Sequence, residues 1–172
     1  MKTMIASAVI LTILLIPCLL QAQADQRAED EIVTFKYGVG FQGTFPASGL
    51  SGMMNITDDI AIQAIAGFFG TLRTFSGRGL YKFQQEEYWD LYGYGMIGAW
   101  SYKGLTTAAT RTTETVLGLG IGGGIQYDWR AFNQSLPPIA WNLELGIGYV
   151  DFNEVNYSFS TIMIGAGIHY RF

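Results

Sequence analysis

Strict alternation of side chains over residues 157–172 constrains this chain more than any other feature of its sequence. A β-strand points successive side chains to opposite faces, so a period of two sorts these residues into two sets. A transmembrane strand has an aliphatic band on one face, with aromatic residues where the strand reaches the membrane interface. That face would hold Ile162, Ile164, Ala166, Ile168, Tyr170 and Phe172, and the opposite face Thr161, Met163, Gly165, Gly167, His169 and Arg171.

The same alternation recurs in seven segments before it. They cover residues 33–42, 50–56, 60–70, 78–84, 88–102, 113–129 and 141–149. Their spacing fits transmembrane strands of about 9 to 11 residues joined by short turns. Because no unpaired sheet edge survives in hydrocarbon, such strands must close on themselves. The sequence therefore predicts an all-β fold, a closed antiparallel eight-stranded transmembrane β-barrel over residues 33–172, with ten strands as the alternative count.

The alternation also predicts which side chains fill the interior. In the fourth segment we expect Arg78, Leu80, Lys82 and Gln84 inside, with Tyr81 outside. In the fifth we expect the aromatic face, Tyr92, Tyr94, Met96 and Trp100, to point outward. These choices would leave twelve glycines inside, namely Gly38, Gly40, Gly93, Gly95, Gly118, Gly120, Gly122, Gly124, Gly146, Gly148, Gly165 and Gly167.

The amino-terminal residues predict export. An apolar run from Met4 to Leu20 is followed by Ala22-Gln23-Ala24, the small-x-small pattern of a signal-peptidase site. A retained membrane helix is the alternative, but the run is only about 17 residues long. Cys18, the chain's one cysteine, follows Pro17, where a lipoprotein would need a small residue. We expect 1–24 to be a signal peptide and 25–32 an acidic periplasmic lead-in, which leaves a chain without disulfides.

Composition and motifs exclude several functions. Only 14% of residues are charged, against about a quarter in soluble domains, and 15% are aromatic. The net charge is −4 and there is no basic run, so nucleic acid is not an expected partner. The glycines of 118–124 contain a G-x-G-x-x-G match, but no helix pattern follows it, so it does not indicate a dinucleotide site.

The sequence also gives no sign of catalysis or cofactor binding. His169 is the only histidine, and we identify no serine that would form a catalytic pair with it near the outer surface. A chain with one histidine and no mature cysteine is a poor candidate for a transition-metal site. We therefore predict no enzyme activity, no catalytic residue, no metal and no cofactor.

The terminal strand and the alternating segments before it resemble the small bacterial outer-membrane β-barrels of the OmpX and OmpA class. That resemblance implies a bacterial outer-membrane location. It also implies that the aromatic terminal strand, through Ile168, Tyr170 and Phe172, is recognised by the barrel-assembly machinery. The predicted outer connections are shorter than the protruding loops of OmpX, which makes adhesion a less favoured role.

Two polar clusters and two functions follow from this arrangement. A buried carboxylate needs a partner, so we expect Glu144 to pair with Lys36, Lys82 or Arg171. The predicted lumen cluster consists of Lys36, Lys82, Glu144, His169 and Arg171. At the outer rim, Arg73, Lys103 and Arg111 are expected to meet lipopolysaccharide phosphates. The favoured function is a structural or surface-interaction barrel in contact with outer-membrane lipids; the alternative, similar to the OmpW type, is a small conduit or binding cavity for an apolar molecule.

Overall fold

The computed structural model describes residues 35–45, 47–68, 71–105, 111–152 and 162–172. They form eight strands and one short 3-10 helix, Trp129–Ala131. The strands are β1 (Tyr37–Thr44), β2 (Ala47–Asn55), β3 (Ile60–Gly67), β4 (Leu72–Gln85), β5 (Trp89–Leu105), β6 (Arg111–Asp128), β7 (Ile139–Val150) and β8 (Ile162–Arg171). The predicted signal peptide, the lead-in and residues 157–161 lie outside the described residues. Within those ranges, no helix is long and apolar enough to span a bilayer.

The strands form one closed sheet. Each strand pairs antiparallel with the next in the chain, and β1 pairs with β8 through Gly38 opposite Arg171 and Thr44 opposite Gly165. Closure leaves no free sheet edge. The prediction of a closed antiparallel barrel with eight strands is confirmed. We call the end with the β2–β3, β4–β5 and β6–β7 connections and Phe172 the lower end, and the opposite end the upper end.

Polarity is inverted relative to a soluble protein. The residues that face outward are mostly large and apolar, whereas more than half of the buried residues are polar or charged. Such a surface would be unstable in water and suits hydrocarbon. On the outer face lie, among others, Val39, Phe41, Ile62, Phe75, Ile97, Leu119, Leu145, Ile147 and Ile164.

The predicted faces hold for most strands and fail in β5. Tyr92, Tyr94 and Trp100 are 2%, 5% and 0% exposed, so the aromatic face of β5 points into the lumen. The opposite face, with Gly95 and Ile97, points outward. The prediction that these aromatics face lipid was therefore wrong, and so was the assignment of Gly93 and Gly95 to the interior.

The neighbouring strand explains the orientation of β5. A side-chain carbon added to Gly122 would lie 2.6 Å from the Tyr94 hydroxyl oxygen, and one added to Gly124 would lie 2.7 Å from the Tyr92 hydroxyl oxygen. A carbon added to Gly118 would lie 2.9 Å from the Trp100 ring. The glycine face of β6 therefore leaves the space that the aromatic face of β5 occupies.

Strand β4 differs from prediction in length and at one position. It begins at Leu72, so residues 73–77, predicted as a connection, belong to a strand. Its pairing with β5 shifts between Lys82 and Gln84, which marks a bulge. The bulge exposes Gln84 and buries Gln85, so the prediction that Gln84 points inward was wrong.

A matched glycine pair tests the interlock between β5 and β6. Gly122→Ala should lower the free energy of unfolding by about 1–3 kcal/mol, because the added methyl group overpacks against Tyr94. Gly95→Ala should change it by about 0.5 kcal/mol or less, because nothing lies within 4 Å of its added carbon. Urea unfolding in lipid vesicles measures both. Equal losses in the two variants would contradict this account of the packing.

Candidate functional site in the barrel lumen

Glu144, at the middle of β7, is at the centre of a hydrogen-bond network in the lumen. Arg78 donates from Nη1 to both of its carboxylate oxygens, at 2.8 and 3.1 Å. The Tyr92 hydroxyl donates to Oε1 at 2.7 Å, and the Thr44 hydroxyl donates to Oε2 at 2.5 Å. Both side chains of the ion pair have 0% exposure. Four strands, β1, β4, β5 and β7, are thus joined through one carboxylate.

A layer of amides and hydroxyls continues this network. Gln42 donates to Thr44 at 2.8 Å and exchanges hydrogen bonds with Asn142 at 3.1 and 3.2 Å. Gln63 donates to the Ser51 hydroxyl at 2.8 Å, and its Nε2 lies 3.3 Å from His169 Nε2. With the Glu144 cluster, these residues bring polar side chains into the lumen from every strand except β6.

The cation beside Glu144 is not one that the sequence predicted. Arg78 forms the ion pair, in place of Lys36, Lys82 or Arg171. Lys36 is exposed and lies outside the lumen, with its Nζ 5.7 Å from the centre of the Tyr37 ring. Its inclusion in the lumen cluster was wrong because Lys36 precedes the first strand, where the sheet no longer fixes side-chain direction by alternation.

The other predicted lumen residues are buried or, in the case of Arg171, partly buried, but they do not form one cluster. Lys82 pairs with Asp90 at 3.4 Å. Arg171 pairs with Asp128, which also accepts from Arg130 at 2.6 Å. His169 belongs to the amide layer. The lumen ion pairs that these residues form are therefore one central pair and two ion-paired groups nearer the lower end.

His169 does have a serine neighbour, which the sequence did not indicate. Its Nε2 lies 2.9 Å from Ser51 Oγ, across the β1–β2 and β1–β8 pairings. Both residues are buried, and His169 Nδ1 has no hydrogen-bond partner among the described residues. A catalytic triad needs a third group that orients the base, and a route for substrate. In the part of the chain that the structure describes, no group orients the pair through His169 Nδ1, and both side chains are buried.

Apolar side chains fill the lumen towards the upper end. Trp100 and Met163 are fully buried there. Met163 fits against Gly120 and Gly148, where added side-chain carbons would lie 2.8 and 2.7 Å from its atoms. Within the described ranges, no three His, Cys, Asp or Glu side chains are grouped as a metal ion would require. The lumen is thus a packed core, polar in the middle and apolar above.

Two further predicted sites have described side chains on the outer face. Arg73 and Lys103 are exposed on adjacent strands, and Arg111 begins β6 at the upper end. The side chains of the predicted assembly signal all point outward, Ile168 and Tyr170 on β8 and Phe172 directly after it. The ring of Phe172 lies 5.9 Å from that of Tyr37, and the two residues exchange backbone hydrogen bonds at 2.8 and 2.9 Å.

The sequence contained part of the signal for the central ion pair. Arg78 and Glu144 were both assigned to the inward face from alternation alone. Their pairing was missed because it depends on height along the barrel axis, and strand tilt and stagger set that height. Tyr92 was missed because its whole strand was assigned to the wrong face.

Comparison with known proteins supports the fold. The N-terminal β-barrel domain of Pseudomonas aeruginosa OprF aligns over 79% of this chain and 95% of its own, with a TM-score of 0.57 and 14% identity. Ail, the attachment invasion locus protein of Yersinia pestis, aligns over 79% of this chain and 93% of its own, with a TM-score of 0.37 and 15% identity. No protein-family model matches the chain, and no curated protein matches it significantly. At such low identity, the OprF likeness establishes the fold alone.

The barrel's own surface supplies the remaining evidence. A closed antiparallel sheet with an apolar outer belt and a polar, filled interior is the architecture of outer-membrane proteins. The terminal aromatic strand and the OprF-like fold agree with it. The chain therefore has the fold and the outer surface of a small outer-membrane β-barrel.

The central ion pair gives a stability prediction. Glu144→Ala should lower the free energy of unfolding by about 3–5 kcal/mol, because it leaves Arg78 buried without a countercharge. The double variant Glu144→Leu with Arg78→Met should recover part of that loss, since apolar residues can replace a buried ion pair while the Tyr92 and Thr44 hydroxyls still lack their acceptor. Urea unfolding in vesicles measures both. A loss below about 1 kcal/mol for Glu144→Ala would contradict the central role of the pair.

Proposed function

We propose that this protein is a structural barrel of the outer membrane whose upper rim engages lipopolysaccharide. The observation that carries the proposal is the position of two exposed cations directly above the apolar belt. Arg73 lies two residues above the exposed Phe75 on the outward face of β4. Lys103 occupies the same face of β5, two residues beyond Ser101, the register partner of Arg73.

Neighbouring hydroxyls extend this polar band. Ser101 and Thr115 are hydrogen-bonded at 2.6 Å on adjacent strands, and Arg111 starts β6 opposite Leu105. The belt below contains Phe75, Ile97 and Leu117, all more than half exposed. A lipid with phosphates above its acyl chains matches this order of apolar and cationic groups. Arginine suits phosphate because its planar fork can donate two parallel hydrogen bonds.

The alternative function, a conduit or cavity for an apolar molecule, loses its main support. It rested on glycines that would leave the lumen empty. The lumen glycines of β6 and β7 instead face the rings of Tyr92, Tyr94 and Trp100 and the side chain of Met163. A packed lumen favours a role carried out by the outer surface and the rim.

The rim is tested by a triple substitution with a matched control. Arg73→Gln, Lys103→Gln and Arg111→Gln together should reduce the lipopolysaccharide that copurifies with the barrel several-fold at low salt. High salt should reduce the difference in retained lipopolysaccharide between the wild type and the triple variant, since exposed charges are screened. Lys36→Gln, which removes an exposed cation at the lower end, should leave retention unchanged. Equal retention in the triple variant and the wild type would reject the proposal.

The terminal strand is proposed to act as the signal for the barrel-assembly machinery through Ile168, Tyr170 and Phe172. Phe172→Ala should reduce the amount of barrel in the outer membrane several-fold, while the refolded protein loses at most about 1.5 kcal/mol from its ring contacts. Ile164→Ala, on the same outward face but outside the signal, is the control. Membrane fractionation with immunoblotting measures the level. Unchanged levels for Phe172→Ala would reject the assembly role.

A further inference from the structure

The outer wall of the barrel carries a groove over strands β1 to β5, with a volume of about 1000 Å³. Its floor consists of small outward residues, namely Gly52, Ala64, Gly77, Gly79 and Gly95. A side-chain carbon added to any of these four glycines would meet nothing within 4 Å. The groove is therefore a depression in the apolar belt, where the backbone of the sheet is exposed to the bilayer.

The register of the strands makes this floor continuous. In the upper of two rows, Gly52, Ala64 and Gly77 are direct neighbours on β2, β3 and β4. In the lower row, Gly79 of β4 is paired with Gly95 of β5. Larger outward side chains border the two rows, namely Val39, Ile62, Ile97, Tyr37 and Phe172. The floor thus extends across four strands, and its lower border is aromatic.

Two exposed cations lie above the groove on strands that form its floor. Arg73 precedes Gly77 by four residues on β4, which is about 13 Å along a strand. Lys103 is on the same outward face of β5 as Gly95. Among the described residues, neither cation forms an ion pair with a carboxylate. The surface therefore presents positive charge directly above an apolar groove.

Phe75 lies between these cations and the floor, but the residues beside it are small. Its register partners are Ala66 on β3 and Ala99 on β5. Phe75 itself is 66% exposed, so it projects from the wall with a lower passage on each side. A hydrocarbon chain can follow such a passage from the cations down to the groove.

A second copy of the barrel matches this surface less well than an anionic lipid does. Two copies in one membrane share their orientation, and a two-fold contact uses the same patch on both. Arg73 and Lys103 of one copy would then face the same cations of the other, and like charges repel across an interface. An anionic lipid instead brings negative charge to the cations and hydrocarbon to the groove.

We propose that this groove binds an acyl chain of the lipid whose phosphate is bound by Arg73 and Lys103. The inference rests on the proposed contact with lipopolysaccharide and adds the hydrocarbon part of the same ligand. The phosphate is held by charge and hydrogen bonds. The chain is held by van der Waals contact with the exposed backbone and with Ile62 and Ile97, the kind of contact that drives packing within a bilayer. The barrel therefore recognises the phosphate and the chain together.

A matched pair of alanines and two forms of lipopolysaccharide test the groove. Ala64→Leu fills its floor, and Gly77→Leu fills the neighbouring position. Ala166→Leu adds the same bulk to an exposed alanine on β8, outside the groove. The ligands are lipopolysaccharide and the same lipopolysaccharide after mild alkaline removal of its ester-linked acyl chains, which keeps the phosphates. Native mass spectrometry of the folded protein in detergent measures the apparent dissociation constant of each.

Ala64→Leu and Gly77→Leu should each weaken binding of intact lipopolysaccharide by about fivefold or more, because the chain loses its contacts with the floor. Neither variant should change binding of the alkali-treated form. Ala166→Leu should bind both forms as the wild type does. The triple variant Arg73→Gln, Lys103→Gln and Arg111→Gln should bind both forms more weakly, because both carry the phosphates.

The two proposals fail in different ways. Wild-type binding of intact lipopolysaccharide by Ala64→Leu and Gly77→Leu would overturn the groove inference, while weak binding by the triple variant would leave the rim proposal in place. Wild-type binding by the triple variant would reject the rim proposal and, with it, the assignment of the chain to a rim-bound lipid. Dimers of the wild type that both groove variants abolish would overturn the inference by assigning the groove to a second copy. The gel shift between heated and unheated samples identifies the folded variants, and two floor positions keep the test valid if one variant does not fold.

Discussion

Hydrocarbon offers no hydrogen-bonding partner, and the structure of this protein depends on that constraint. Every backbone N–H and C=O in the membrane must pair within the chain, which for strands requires a closed sheet. Eight strands give an interior just wide enough to be filled by side chains. Once the sheet closes, the chain has to pack that interior from its own residues, because each strand contributes its inward set regardless of polarity.

The interior is filled by two different means. In the middle, one carboxylate accepts hydrogen bonds from a guanidinium, a phenol and a hydroxyl, and amides extend the network to neighbouring strands. A charge buried in such a place is tolerated because its partners are fixed by the sheet. Higher up, aromatic and thioether side chains lie over glycines. The polar and the apolar parts both use the large-against-small pairing of facing strands.

Glycine has opposite meanings on the two faces of the barrel. On the inner face, a side chain at Gly40, Gly122 or Gly167 would collide with backbone or side-chain atoms, so the absence of a side chain is needed for packing. On the outer face, Gly52, Gly77 and Gly95 have open space around them. Glycine is therefore required for packing on the inner face, whereas on the outer face it lets neighbouring molecules in the bilayer approach the backbone closely.

The sequence by itself determined the architecture of the protein. A period of two, recurring eight times with apolar residues at alternate positions, is compatible with few folds, and the closed barrel with its outward belt follows from it. Alternation also assigned Arg78, Glu144 and His169 to the inside, since the period of two fixes which face a residue takes along a regular strand.

Tertiary structure decided what alternation leaves open. From the sequence, either face of β5 could point outward, because one carries aromatic residues and the other carries glycines with Leu91 and Ile97. Only the packing against the glycine face of β6 shows that the aromatic face points into the lumen. The partner of Glu144 depended on strand tilt and stagger, which set the heights of residues far apart in sequence. A bulge between Lys82 and Gln84 turns Gln84 outward and Gln85 inward, the reverse of what a period of two predicts. Phe35 lies before the first paired strand, where the period of two no longer applies, so its contacts with Arg130 and Arg171 follow from packing at the mouth of the closed barrel.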